Sequence, residues 1–146
     1  MRASGVLRGN LIDASALLAL VRERDPWHQP CVASLQSVTF PLVTTTAVLT
    51  ETFYFAIKWG GLVEHVWAFV RSRRVAVAPI TDADLPALET VMHRNADRPM
   101  DFADATLVHV AEREGRNTIL TVDHDDFETY RIGRNAKFRI LPARVR

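Results

Sequence analysis

Short apolar runs alternate along the chain with stretches of helical period, the pattern of a parallel sheet whose crossovers are helices. The first run, VLRGNLID over residues 6–13, predicts a strand that ends at Asp13, and ASALLALVRER predicts the helix after it. Asp25, Pro26 and Pro30 break that helix, and residues 27–37 start another. PLVTTT predicts a short strand, with Thr44 to Thr46 offering cap hydroxyls to a helix that reaches Lys58. Gly60 and Gly61 close it, and LVEHVWAFVRSR is a further amphipathic helix. VAVAPI predicts a β-branched strand, and Thr81 and Asp82 stand where caps for the helix DLPALETVMHRN belong. Asp101 takes the cap position ahead of FADATLVHVAERE, which Gly115 terminates. NTILTVD is the clearest buried strand, HDDFETY reads as a turn, and KFRILP predicts a final edge strand. The expected fold is α/β: three layers, α/β/α, around a central, mainly parallel sheet of four to five strands.

Length and composition narrow the class. A chain of 146 residues, 48% hydrophobic and 24% charged, fits a single domain over residues 1–146 rather than a disordered or coiled-coil protein. Cys31 is the only cysteine, which excludes an intrachain disulfide and argues against a thiolate zinc site. The apolar runs fall far short of the ~18 residues needed to span a membrane. LIDASALLALV has the look of a signal-peptide core, but Asp13 interrupts it. The expectation is a cytoplasmic protein with no membrane association.

Net charge is only +1, yet its distribution is uneven. The segment 131–146 holds Arg131, Arg134, Lys137, Arg139, Arg144 and Arg146 and no acid, leaving twelve basic against seventeen acidic residues elsewhere. Sixteen of the eighteen cations are arginine, a side chain suited to bidentate phosphate contacts. A basic end on an acidic body suggests a polyanion held by one surface, with Arg131 and Arg134 as candidate contacts and Arg71, Arg73 and Arg74 either part of the same footprint or a solvated helix end. A GC-rich genome would produce the same arginine excess.

The acids carry the chemistry. Asp13 and Asp123 end predicted strands, Glu51 lies early in the helix after PLVTTT, and Asp101 and Asp104 open the helix after Pro99. In an open parallel sheet, strand C-termini and the N-termini of the following helices share one edge, where ligands bind. Acids spaced 38, 53 and 19 residues apart in sequence can therefore meet in one crevice. Two carboxylates ~5 Å apart at an effective dielectric of about 20 repel by about 3 kcal/mol. Six such pairs among four acids would rival the stability of a whole domain. Protonation or a divalent cation relieves that repulsion, and an all-carboxylate site suits Mg²⁺ or Mn²⁺ rather than zinc. Carboxylate-held Mg²⁺ serves phosphate chemistry, which points to hydrolysis of a nucleic-acid backbone.

LIDASALLAL, TTTAVLTETF, PMDFADATLVHVAEREG and ILTVDHDDF, in that order over about Leu11 to Phe127, resemble the signature of the PIN domain. Within that superfamily the chain is most similar to the VapC-type toxins of bacterial type II toxin–antitoxin pairs. The resemblance implies a PIN-like fold and a Mg²⁺-dependent (or Mn²⁺-dependent) endoribonuclease that cleaves transfer or ribosomal RNA, is held in check by a cognate antitoxin, and forms a homodimer. Carried over by residue, it implies that Asp13, Glu51, Asp104 and Asp123 are the catalytic, metal-binding acids. Asp101 and Asp126 match auxiliary acids, and Ser15 and Thr121 match hydroxyls that orient them. Two features depart from the pattern: about ten residues precede the first strand's core, and no second acid flanks Asp13.

Other readings compete for the same residues. Asp13 and Asp101 also serve as helix N-caps, Asp123 as a cap of the HDDFETY turn, and a buried arginine would neutralise Glu51. Asp125 reads as a solvated turn residue and His124 as a surface residue. Trp59, Trp67, Phe53, Phe55 and Phe69 suit a core or dimer interface better than base stacking. The five histidines show no zinc spacing. A catalytically silent RNA- or protein-binding module would have kept the fold while losing an acid. An α/β phosphatase would need a second aspartate two residues after Asp13, where Ser15 stands, and a lysine better placed than Lys58.

Overall fold

The computed structural model describes residues 9–144. In chain order the elements are β1 (Leu11–Ile12), α1 (Ala14–Val21), α2 (His28–Ser34), β2 (Leu42–Thr44), α3 (Thr46–Trp59), α4 (Val63–Val70), β3 (Val75–Val77), α5 (Leu85–Arg94), α6 (Phe102–Glu114), β4 (Thr118–Leu120), α7 (His124–Thr129), β5 (Arg131–Ile132), β6 (Ala136–Lys137) and β7 (Arg139–Leu141). Single turns of 3₁₀ helix at Leu35–Ser37 and Asp82–Asp84 extend α2 and lead into α5.

Five strands form one parallel sheet in the order β3-β2-β1-β4-β7. Leu11 of β1 lies between Val43 of β2 and Ile119 of β4. From β1 the chain winds outward through β2 to β3, then returns to place β4 on the other side of β1. The winding reverses between β1 and β4, and at such a switch point a crevice opens beyond the strand C-termini. Asp13 and Asp123 follow those two strands.

The central strands are short and mostly apolar because helices cover both faces. Leu11, Ile12, Leu42, Val43, Ile119 and Leu120 are fully buried. The helix α6 is buried from Asp104 to Ala111, with Asp104, Thr106 and His109 set among its apolar residues. Local signals set the helix ends. Asp13 accepts a hydrogen bond from the Ala14 amide at 2.8 Å, Thr45 from Val48 at 3.3 Å, and Asp101 from Asp104 at 2.8 Å. Thr81 and Asp84 form a reciprocal capping box ahead of α5. Gly115 ends α6 at φ 71°, a left-handed conformation in which glycine carries no steric penalty.

Three features differ from the sequence expectation. HDDFETY is the helix α7 rather than a turn, so Asp125 stands in a first helical turn, where Arg144 pairs with it at 2.7 Å. His124 is buried rather than exposed: it lies against Trp27, with ring centroids 5.2 Å apart, and its Nε2 meets the Pro142 carbonyl at 2.8 Å. Residues 131–137, read as part of a basic tail, fold into the antiparallel hairpin β5–β6 before the edge strand β7. The predicted strand start at residues 6–8, and Arg146 of the basic segment, lie outside the described residues. Among the described residues no helix is long and apolar enough to cross a membrane.

Candidate active site

A cleft of about 260 Å³ opens at the switch point, lined by Asp13, Asp25, Glu51, Asp101, Asp104, Asp123 and Asp126 among others. Each acid arrives by a different local route. Asp13 is the residue between β1 and α1, and Asp123 lies between β4 and α7. Asp101 caps α6 and Asp104 stands in its first turn. Glu51 comes from the second turn of α3, and Asp126 from α7. One carboxylate oxygen each of Asp104, Asp123 and Asp126 lies within 4.8 Å of the others.

Hydroxyl groups fix these acids. Thr121 donates to Asp13 Oδ2 at 2.8 Å and Ser15 donates to the same oxygen at 3.0 Å. The two hydroxyls are 3.1 Å apart, and they also accept from backbone amides: Asp123 N–H to Thr121 at 3.0 Å, Val122 N–H to Ser15 at 3.1 Å. Ser15 and Thr121 therefore stitch the end of β1 to the end of β4. Tyr130, at the C-terminal end of α7, donates its hydroxyl to Asp104 Oδ2 at 2.8 Å. Asp123 makes no side-chain cap bond to α7, and Glu51 has no arginine partner among the described residues. Of the competing readings of the cleft acids, the caps by Asp13 and Asp101 are realised.

Two of the seven acids meet a cation. Arg98 binds Asp126 Oδ1 through Nε at 3.0 Å and Nη2 at 2.8 Å, and Arg22 approaches Asp25 at 3.9 Å. Asp13, Glu51, Asp101, Asp104 and Asp123 have no cationic partner among the described residues. Their electrostatics follow. Burial pushes the Asp104 carboxyl up to about 8, with Asp13 and Asp101 adding like charge. Burial, and then Asp13, Asp101 and Asp123, lift Glu51 to about 7. Burial and the neighbouring Asp126 lift Asp123 to about 6. Asp13 is also raised, by burial above all, against the opposing pull of Thr121, Ala14 and Ser15. Several carboxyls held above their ordinary range in one cleft mark a site that favours either protons or a cation.

The donor set decides which cation fits. Every available ligand is a carboxylate oxygen: Cys31 is buried in the core, and His124 is engaged with the carbonyls of Val122 and Pro142. Hard divalent ions with oxygen preference suit such a set, and zinc does not.

None of the candidate RNA-binding arginines lines the acidic cleft. Arg71, Arg73 and Arg74 precede the outer strand β3, where the Arg74 carbonyl accepts from Leu42 N–H at 2.6 Å. Arg131 turns its guanidinium onto the carbonyls of Glu128, Thr129 and Tyr130, closing the end of α7. Arg134 sits in the β5–β6 turn. Lys58 stands 5.7 Å from the centre of the Tyr54 ring and does not line the cleft, so Asp13 lacks the lysine a phosphatase would use. Tyr130, Arg98 and Asp25 are site residues that the sequence reading missed. Tyr130 follows Asp126 by four residues, so a helical reading of HDDFETY would have placed both on one face.

Comparison with known proteins agrees with this architecture. The PIN domain family matches residues 11–133. The chain is similar to ribonuclease VapC26 of Mycobacterium tuberculosis (strain ATCC 25618 / H37Rv), 27% identical over 135 residues that cover 90% of this chain and 99% of the relative. Among solved structures it resembles VapC20 of Mycobacterium tuberculosis, a sarcin–ricin loop cleaving toxin, with a TM-score of 0.70 at 24% identity over 79% of this chain and 90% of that one. It also resembles PAE2754 from Pyrobaculum aerophilum, with a TM-score of 0.51 at 20% identity over 96% and 91% of the two chains. The two structural likenesses speak to the fold, and the sequence match covers the strands and helices that carry all the cleft acids. The chain belongs to the PIN domain family.

Proposed function

We propose that this protein is a divalent-metal-dependent endoribonuclease of the VapC type, the toxin of a toxin–antitoxin pair, which hydrolyses phosphodiester bonds of transfer or ribosomal RNA in the cytoplasm. The observation that carries this reading is the set of five carboxylates, Asp13, Glu51, Asp101, Asp104 and Asp123, that share one cleft with no cationic partner among the described residues. A binding module has no use for such repulsion, whereas a metal-assisted hydrolase does. We read the whole chain, 1–146, as one such domain.

Asp13, Asp104 and Asp123 would hold Mg²⁺ or Mn²⁺, with Glu51, Asp101 and Asp126 as further oxygen donors. When bound, the ion neutralises the phosphodiester and acidifies the attacking water. The protein's own residues prepare the rest. Thr121 and Ser15 hold Asp13 through Oδ2, and Tyr130 holds Asp104 through Oδ2, leaving Asp104 Oδ1 without a protein partner among the described residues. Glu51, on the α3 wall and likewise unpartnered, orients the water and accepts its proton at the carboxylate. Arg98 fixes Asp126 at the rim.

The family reading also implies a homodimer and an antitoxin. Exposed apolar side chains on α3 and α4, with Tyr54 at 57% and Ile57 at 68% exposure, supply a surface for such partners. Incubating purified protein with transfer and ribosomal RNA in Mg²⁺ or Mn²⁺ tests the activity. Cleavage that stops with EDTA and with Asp13→Asn is expected; undiminished cleavage by Asp13→Asn would refute the assignment.

A further inference from the structure

Beside the acidic cleft lies a second and larger depression, of about 800 Å³, at the C-terminal ends of α1 and α3. Its charge is opposite. Arg22, Arg24 and Arg74 line it against a single acid, Glu23, with His28 nearby. The two depressions share a wall residue, Trp59, which is 43% exposed.

The sequence explains why they are continuous. Glu51, Phe55 and Trp59 recur every four residues along α3, so they form one stripe, and all three line the acidic cleft. Eight residues at 1.5 Å each carry that stripe about 12 Å from Glu51 to Trp59. Opposite it, Ser15 and Leu18 of α1 line the cleft, and Arg22, one turn further on, lines the basic groove. At the junction the Arg22 guanidinium lies 4.4 Å from the centre of the Trp59 ring. The track thus runs from carboxylates, past Phe55, to an arginine–tryptophan pair and then to Arg24 and Arg74. Arg74 packs over Phe69, 5.4 Å from its centre, which presents a second guanidinium on an aromatic support.

We infer that this groove holds the single-stranded RNA flanking the scissile phosphate, with its phosphates on Arg24 and Arg74 and a base against Trp59. The inference rests on the ribonuclease reading above. A strand leaving the acidic cleft is repelled there, and the groove offers cations on the far side of the shared wall residue Trp59. Arginines beside an exposed tryptophan, with half-buried Phe55 and Phe69 along the same track, are the combination that binds single strands without reading their sequence. At the ~3.4 Å rise of a stacked strand, the 12 Å track passes more than one phosphate.

The test uses a fluorescein-labelled single-stranded RNA, with binding followed by anisotropy across a KCl series in Mg²⁺. Asp104→Asn serves as the non-cleaving background. Adding Arg24→Ala and Arg74→Ala together should weaken binding roughly three- to tenfold and flatten the salt dependence by about 1.4 in slope, the value for two single-strand phosphate contacts. Arg24→Lys with Arg74→Lys should restore most of both, which a merely misfolded variant would not do. Unchanged affinity and slope in the double alanine variant would overturn the groove. So would loss of binding to an acidic peptide with RNA binding intact, which would assign the groove to a protein. Wild-type protein that binds this RNA through the groove but cleaves no RNA would instead refute the ribonuclease reading and leave the groove standing.

Discussion

Asp104 is buried, and its Oδ2 takes a hydrogen bond from the Tyr130 hydroxyl. The hydroxyl favours the charged carboxylate against burial, and Tyr130→Phe removes that donor without changing shape. We predict a loss of about tenfold or more in metal affinity or cleavage rate, the usual cost of an orienting partner, read by titrating Mn²⁺ into the variant. Thr121 has more duties, because its hydroxyl donates to Asp13 and accepts from the Asp123 amide. Thr121→Val leaves the Asp123 amide without that acceptor and leaves Asp13 Oδ2 to Ser15 alone, at a fully buried position. Denaturant unfolding of that variant should show a loss of about 1–3 kcal/mol. Neither Tyr130 nor Arg98 was legible as a partner in the sequence, since each reaches an acid 26 or 28 residues away, and such pairings leave no local pattern.

Helix α6 assigns Asp101 two competing tasks, and substitution can separate them. Its Oδ1 caps the helix at the Asp104 amide while its charge adds to the cleft. Asp101→Ala should cost about 1 kcal/mol, whereas Asp101→Ser should keep the cap and stay within a few tenths of wild type. If the charge serves the metal, both variants lose cleavage alike; full activity in the serine variant would leave Asp101 a cap alone. The same scale shows what sequence patterns convey. The apolar strands β1, β2 and β4 and the capped helices α1, α3 and α6 were readable because burial on both faces and cap hydroxyls leave local marks. The helix α7 was not, because six residues, mostly polar, are too few to display a helical period. The β5–β6 hairpin was hidden by its charges, although Gly133 at φ 61° supplies the turn.

At the scale of the whole molecule, the crowded acids couple folding to protons and to metal. Asp104, Glu51 and Asp123 titrate at about 8, 7 and 6 in the folded protein, all above their ordinary values. The folded state therefore holds protons that the unfolded chain has already released. Without metal, stability should fall as pH rises from about 4 toward 8, because deprotonation restores the repulsion. A divalent ion competes for the same oxygens, so Mg²⁺ should raise the melting temperature more at pH 8 than at pH 5. Thermal melts at both pH values, with EDTA and with Mg²⁺, check this, and Asp104→Asn should reduce the pH dependence while raising metal-free stability. The convergence itself was legible from sequence, because a parallel sheet sends every strand's C-terminus to one edge and the reversal beside β1 opens it there.

The most direct test of the central claim is anomalous scattering from crystals soaked in Mn²⁺. The account predicts a strong peak in the cleft, within coordination distance of Asp13, Asp104 and Asp123. A well-occupied manganese elsewhere on the protein, with nothing between those three carboxylates, would contradict it.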